Sequence, residues 1–116
     1  MLSIGAERRI WLCTQPTDMR CSFDGLSARV RNHLGEDPGS GSWYAFMNRR
    51  ATQIKVFAFE TGGYSVWSKR LETGRFAKLN AAGSVKRRLC RTEFLALLEG
   101  VDLVIKRHRK RYKKVA

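Results

Sequence analysis

The first long apolar pattern of the chain has helical spacing. Four apolar side chains recur three or four positions apart, which is the spacing of one helix face: Phe23, Leu26, Val30 and Leu34. Thr17 or Ser22 precedes them in a position suited to an N-terminal cap, and Gly35 follows where a C-terminal cap belongs. The pattern therefore predicts one amphipathic helix over residues 23–34.

Shorter apolar stretches on either side of this helix have the pattern of β-strands. One runs from residue 10 to residue 14 and ends before Pro16. Three more follow a loop at residues 37–42, and they span residues 43–48, 53–60 and 64–71. Thr61, Gly62 and Gly63 separate the last two stretches and predict a hairpin turn, because glycine accepts positive φ. We expect these three strands to form an antiparallel meander.

The middle strand of the meander is apolar on both faces. Ile54, Val56 and Ala58 alternate with Phe57 and Phe59, as in a strand at the centre of a sheet that is covered on both sides. The predicted helix can cover one face. The cover of the other face is left open by the sequence, with a partner or a second copy as a candidate.

The C-terminal part of the chain is polar and basic apart from one short helix pattern. Residues 77–91 are expected to form an irregular basic connection, after which Thr92 is placed to cap a helix. The apolar positions of that helix are Phe94, Leu97, Leu98 and Val101. The predicted fold is therefore α+β, with an antiparallel sheet of about four strands, one main helix packed on it and a short C-terminal helix. We expect a single domain over residues 1–105 and a flexible basic tail over residues 106–116.

Composition adds a strong charge to this picture. The 116 residues carry 23 Lys and Arg against 10 Asp and Glu, a net charge of +13. Residues 1–42 are neutral (5 basic and 5 acidic), whereas residues 79–116 hold 11 basic and 3 acidic side chains. This asymmetry favours a polyanionic partner, because each neutralised phosphate releases condensed counterions.

Several kinds of site are disfavoured by the composition. The sequence has no apolar run of the length that spans a membrane and no signal-peptide pattern, so we expect no membrane partner and a cytoplasmic location. Cys13, Cys21 and Cys90 lack metal-ligand spacing, which predicts reduced cysteines and no metal or other cofactor. The few carboxylates form no acid–base or two-metal set, so an enzyme is not expected.

The predicted contacts to nucleic acid are basic side chains of loops, strand ends and the tail. Residues 106–114 alone contain seven Lys or Arg in nine positions. The candidates for phosphate contact are Arg49, Arg50, Lys69, Arg70, Arg75, Lys86, Arg87, Arg88, Lys106, Arg107, Arg109, Lys110, Arg111, Lys113 and Lys114. The alternative for the tail is a solvated terminus that aids solubility, and charge alone does not separate DNA from RNA.

The order of several short motifs resembles one family of mobile elements. These motifs are Pro16-Thr17-Asp18-Met19-Arg20, Ser22-Phe23-Asp24-Gly25-Leu26, Asp37-Pro38, Ser40-Gly41, Phe46-x-Asn48-Arg49-Arg50, Lys55, Lys69-Arg70-Leu71-Glu72-x-Gly74-Arg75-Phe76 and Leu97-Leu98-Glu99-Gly100-Val101-Asp102. Together they resemble the TnpB-type accessory protein, the product of the second open reading frame, of the bacterial insertion sequence 66 family. The resemblance covers residues 10 to about 112.

The resemblance implies a non-catalytic protein of DNA transposition. It implies a separate transposase that carries the catalytic carboxylates, with DNA or that transposase as the binding partner. We therefore expect binding to DNA, mainly through its phosphates, and a possible homo-oligomer. The alternatives are an adaptor whose basic surface binds an acidic surface of the transposase, and an RNA-binding regulator or a small nuclease, the last being disfavoured by the missing carboxylate cluster. In the first motif, Asp18 and Arg20 are expected either to pair with each other or to fix the turn between strand and helix.

Overall fold

The computed structural model describes residues 8–79 and 83–99 of the chain. Along the sequence the elements are β1 (Ile10–Cys13), α1 (Phe23–Asn32), β2 (Trp43–Met47), β3 (Gln53–Glu60), β4 (Gly63–Arg70), β5 (Lys86–Leu89) and α2 (Arg91–Leu98). The fold is α+β, as the sequence predicts. Val101 and the basic tail at residues 106–116 lie outside the described residues.

The five strands form one mixed sheet in the order β4-β3-β2-β1-β5. The meander of β2, β3 and β4 is antiparallel, which confirms the prediction for that part. β1 instead pairs in parallel with β2, with Ile10 opposite Trp43. The expectation of an antiparallel sheet of about four strands is therefore correct only in part, because the sheet has five strands and one of its four pairs is parallel. The physical reason is the connection, since α1 lies between β1 and β2 and supplies the crossover that parallel neighbours need.

The strand β5 lies where an irregular basic connection is expected from the sequence. It pairs antiparallel with β1, with Leu89 opposite Ile10 and Lys86 opposite Cys13. Three of its four residues are Lys or Arg, which hides the alternation of a half-buried strand. Charged side chains are common on edge strands, where they discourage pairing with other chains.

The helix α1 covers one face of the sheet. Leu26, Val30 and Leu34 are buried against Tyr44 and Phe57 of the sheet, in a cluster that also contains Cys13 and Phe46. The helical spacing thus identifies three core residues correctly. Phe23, the first residue of the pattern, is 47% exposed. Ser22 is the residue that precedes the helix, although its side chain makes no capping hydrogen bond.

The helix α2 and residues 71–79 cover the other face. Phe94 and Leu97 pack on Ile54 and Val56 in a second cluster, to which Phe76 also belongs. The rings of Trp43 and Phe94 meet edge to face, with centroids 5.5 Å apart. This face is the one for which the sequence leaves a partner or second copy open. Its cover comes from the chain itself.

The cap of α2 differs from the sequence expectation. Cys90, not Thr92, is the N-terminal cap, because the helix follows directly after β5. The sulfur of Cys90 accepts from the backbone N–H of Glu93 at 3.5 Å, and the Glu93 carboxylate accepts from the backbone N–H of Cys90 at 2.9 Å. This reciprocal pair is a capping box. The hydrogen bond from the Cys90 backbone lowers the pKa of Glu93 below its usual value.

Neither of the two helices in the described part of the chain has the length and apolarity that crossing a membrane requires.

Candidate nucleic-acid interface

An open cleft of about 580 Å³ lies at one end of the sheet. It is found where β2 ends, β3 begins and β4 ends. Its lining consists of Pro16, Thr17, Asp18, Met19, Asn48, Arg49, Arg50, Thr52, Gln53 and Arg70. The cleft therefore brings together three of the motifs that carry the resemblance, although they are far apart along the chain.

The turn between β2 and β3 is shaped by Asn48. Its side-chain oxygen accepts from the backbone N–H groups of Thr52 and Gln53 at 2.9 and 3.1 Å, and its amide nitrogen donates to Thr52 Oγ1 at 3.0 Å. Because these bonds occupy the Asn48 amide, they fix the turn that carries Arg49 and Arg50. Both arginines are exposed.

The opposite wall is formed by the segment that follows β1. The backbone N–H of Thr17 donates to the carbonyl oxygen of Met47 at 2.9 Å, which fixes this segment beside the end of β2. Thr17 is 3% exposed, and it is the one buried residue in the lining of the cleft. Its Oγ1 has no hydrogen-bond partner among the described residues.

Asp18 and Arg20 form a fork-shaped ion pair beside this wall. Arg20 Nη2 donates to Asp18 Oδ2 at 2.6 Å, and Arg20 Nε donates to both carboxylate oxygens at 3.1 and 3.0 Å. These hydrogen bonds lower the pKa of Asp18 from 3.8 to about 2. The pairing of these two residues is one of the two structural roles expected from the sequence. It also occupies the one carboxylate that the described residues contribute to the cleft.

The end of β4 separates two neighbouring basic residues. Arg70 is exposed and lines the cleft. Lys69 points to the opposite face of the sheet, where its Nζ donates to the carbonyl oxygen of Leu98 at 2.7 Å. Leu98 is the last residue of α2, so Lys69 binds the negative end of that helix. Of this pair, the structure leaves Arg70 accessible to a ligand.

Arg75 lies close to the same turn without lining the cleft. The backbone N–H of the next residue, Phe76, donates to the carbonyl oxygen of Ala51 at 2.6 Å. This bond places Arg75 beside the turn that carries Arg49 and Arg50, and its side chain is exposed. Of the sequence-based candidates, the structure thus brings Arg49, Arg50 and Arg70 to one cleft, with Arg75 beside the turn, whereas Lys69 is bonded on the opposite face of the sheet.

The three basic residues of β5 lie at the other edge of the sheet. Lys86 pairs with Glu36 and lies over the ring of Trp11, 4.8 Å from its centroid. Arg87 faces the other side and pairs with Glu93 at 2.9 Å. Arg88 is exposed, and its guanidinium carbon is 5.9 Å from the Trp11 ring centroid. Two of the three therefore have partners within the protein.

The cleft is positively charged overall. Its lining holds three arginines and one aspartate, and Arg20 neutralises the aspartate. Within residues 8–79 and 83–99, Arg49, Arg50 and Arg70 form no ion pair with a carboxylate. Guanidinium groups bind phosphate oxygens with two parallel hydrogen bonds. This arrangement is suited to binding a phosphate group. The described part of the chain contains no group of three His, Cys, Asp or Glu residues placed to hold a metal ion.

Two residues of this site are absent from the sequence-based candidates. Asn48 shapes the arginine turn and Thr17 lies buried in the cleft wall, and neither carries charge. The signal for Asn48 was its position directly before Arg49 at the end of a strand, where asparagine often bonds the backbone of a turn. Thr17 belongs to the first motif and is a cap candidate in the sequence, but its burial in the cleft wall depends on the contact with Met47, which no local pattern reveals.

The comparisons with known proteins agree with the resemblance seen in the sequence. The profile of the family described as IS66 Orf2 like protein matches residues 8–108. The uncharacterized protein y4hO of Sinorhizobium fredii is 34% identical over 102 residues, which cover 88% of this chain and 88% of that protein. A second Sinorhizobium fredii protein, the uncharacterized protein y4jC, is 35% identical over 75 residues, or 63% of this chain and 64% of its own.

No solved structure matches this chain. Two matches show the family. The family profile spans every described strand and helix, and the alignment with y4hO covers most of this chain and of y4hO. By this evidence the chain belongs to the family of IS66 Orf2 like proteins.

Proposed function

We propose that this protein is a non-catalytic accessory factor of DNA transposition that binds the phosphate backbone of DNA. The observation that carries the proposal is the convergence of Arg49, Arg50 and Arg70 on one open cleft. They come from a turn and from the end of another strand, and no carboxylate of the described residues pairs with them. Membership of the insertion sequence 66 family supports a role in transposition.

Arg75 and the basic tail extend this proposed surface. Arg75 lies beside the arginine turn and adds a fourth exposed guanidinium. The basic tail, whose candidates run from Lys106 to Lys114, lies outside the described residues and enters the proposal through its charge alone. Lys69, Lys86 and Arg87 have partners within the protein. We therefore assign them to the fold and not to phosphate contact.

The proposed partner besides DNA is the separate transposase of the element. The accessory protein would hold DNA by its backbone while the transposase supplies base recognition and chemistry. Among residues 8–79 and 83–99, Asp18 is the one carboxylate that lines the cleft, and Arg20 binds both of its oxygens. This engagement leaves the cleft better suited to binding than to proton transfer, which supports the non-catalytic assignment.

A salt series on labelled duplex DNA tests the proposal. If about six phosphates are contacted, the affinity of the full chain should fall about a thousandfold between 50 and 200 mM salt. The control is a second duplex of the same length and composition with its sequence scrambled. The protein should bind both duplexes equally well if it contacts the phosphate backbone. An affinity that stays flat over this range would overturn the electrostatic account. Binding of the transposase but not of DNA would favour the adaptor alternative.

A further inference from the structure

The cleft contains a buried hydroxyl group that the fold does not use. Thr17 is 3% exposed and its Oγ1 has no partner among the described residues, although most buried hydroxyls are hydrogen-bonded. The backbone of the same residue is bonded to Met47 at 2.9 Å, so the residue is held firmly in place. An unused donor and acceptor in the wall of a cleft indicates a ligand that enters the cleft.

The size of the cleft bears on what can reach this hydroxyl. Arg49, Arg50 and Arg70 are exposed, whereas Thr17 is buried in the wall formed by the segment after β1. The arginines and Thr17 line the same open cleft, so one ligand of sufficient size can contact both. The cleft volume of about 580 Å³ lies within the range of about 300–1000 Å³ that is usual for small-molecule sites. This is more space than a single phosphate group fills.

The side chains of the cleft wall are better suited to a nucleotide than to a phosphate ion alone. The carboxylate of Asp18 lies in the lining and is half exposed, and the side chain of Arg20 binds both of its oxygens. A carboxylate has about four acceptor sites, so Asp18 can still accept a hydrogen bond from an N–H group on the edge of a base. In a duplex those edges are paired and stacked, so a base can offer them only when it is unpaired or turned out of the helix.

We infer that the cleft binds one unpaired nucleotide of a DNA strand, with its phosphate on Arg49, Arg50 and Arg70 and its sugar or base against Thr17 and Asp18. This inference rests on the proposed function, because it assigns the arginines the same phosphate contact. It adds that the protein prefers single-stranded or locally opened DNA to a closed duplex at this site. Such segments arise at strand ends and wherever a helix is opened.

The test compares one oligonucleotide as a single strand and as a duplex, with the full chain and two variants of Thr17. Thr17→Val replaces the hydroxyl by a methyl group of similar size, and Thr17→Ser keeps the hydroxyl. Thr17→Val should weaken single-strand binding about fivefold, the usual effect of one hydrogen bond between neutral groups. Its duplex affinity should stay within about twofold of the wild-type value, and Thr17→Ser should bind the single strand like wild type.

Two results would overturn the inference. One is unchanged single-strand binding in Thr17→Val, and the other is an equal loss for the single strand and the duplex. Neither result would contradict the proposed function if the affinity of the wild-type chain for duplex DNA falls steeply with salt concentration. If the wild-type chain bound neither single-stranded nor duplex DNA, both the inference and the proposed function would be overturned.

A second measurement needs no variant. Amide signals of the wild-type chain are followed by NMR during titration with deoxycytidine monophosphate and, separately, with inorganic phosphate. The nucleotide should shift the signals of Thr17, Asp18 and the turn at Asn48–Thr52, while inorganic phosphate should shift only the signals of the arginine turn and Arg70. Nucleotide shifts that are confined to other regions, or equal to those of phosphate, would contradict the inference.

Discussion

At the residue scale, the buried hydroxyl group of Thr17 is expected to lower the stability of the fold, although we propose that it contributes to binding a nucleotide. Thr17 Oγ1 is buried without a hydrogen-bond partner among the described residues, and such a group destabilises a fold by about 1–3 kcal/mol. We expect Thr17→Val to raise the free energy of unfolding by about 1 kcal/mol, because valine removes the unpaired group and keeps the shape. Urea denaturation monitored by tryptophan fluorescence measures this change.

A matched control for this prediction is available in the same strand-to-helix segment. Thr14 Oγ1 donates to the carbonyl oxygen of Ser84 at 2.7 Å. The same substitution there, Thr14→Val, should lower the free energy of unfolding by about 0.5–1 kcal/mol, because it removes a bond that is made. A loss of stability of the same size in both variants would contradict the interpretation of Thr17.

Asp18 should remain ionised to unusually low pH. The hydrogen bonds from the Arg20 side chain and backbone lower its pKa from 3.8 to about 2. Since the pKa is lowered in the folded protein, the stabilisation is complete above pH 4 and is lost as the pH falls through about 2. NMR titration of the Asp18 carboxyl group should show this midpoint, and in Arg20→Gln the midpoint should return toward 3.8. An unshifted midpoint in the wild-type chain would show that the ion pair is not formed in solution.

At the scale of elements, α2 begins with an uncommon cap. Cys90 accepts from the backbone N–H of Glu93 at 3.5 Å, and sulfur is a weak acceptor. Serine is among the strongest N-terminal caps, whereas alanine has no acceptor. We expect Cys90→Ser to equal or exceed wild-type stability and Cys90→Ala to lie about 1 kcal/mol below Cys90→Ser. Thermal unfolding of the two variants measures the difference, and equal melting temperatures would argue against the cap.

Elements with a regular apolar pattern are the ones that the sequence predicts well. The strand at Gln53–Glu60 is predicted with its observed bounds, and the helix over Phe23–Asn32 is found two residues shorter than predicted. Their patterns are set by burial on one or two faces, which is a local property of the sequence. The strand Lys86–Leu89 is missed because its charged residues lie at an edge, where burial leaves little trace.

The parallel pairing of β1 with β2 is likewise beyond a local pattern. The two strands are separated by α1 and a loop. The sequence of neither strand indicates whether they pair in parallel or antiparallel. The direction follows from the crossover that brings the chain back after the helix. Sequence reasoning therefore predicts four of the five strands but not their order in the sheet.

At the scale of the molecule, the site depends on that order. Residues 16–19, the turn at 48–53 and Arg70 meet because β1, β2, β3 and β4 are neighbours in the sheet. Charge identifies Arg49, Arg50 and Arg70 as candidates, yet it gives the same weight to Lys69 and Arg87. Those two are bonded to Leu98 and Glu93. Such partners come from tertiary contacts that no spacing in the sequence reveals.

The most direct test of the account is duplex binding by a variant that lacks the three cleft arginines. We would compare Arg49→Gln/Arg50→Gln/Arg70→Gln with Arg9→Gln/Arg31→Gln/Arg91→Gln in the full chain, by fluorescence anisotropy over a salt series. The three control arginines are exposed and lie outside the lining of the cleft. Their substitution removes the same amount of positive charge as the cleft variant.

The account predicts that the cleft variant loses about a hundredfold or more in affinity at low salt. The slope of log affinity against log salt should fall by about 0.9–2.7, since the three arginines neutralise between one and three phosphates and each phosphate contributes about 0.9. The control variant should lose much less. Equal losses in the two variants would show that DNA binds the overall positive charge and not the cleft, and would contradict the central claim.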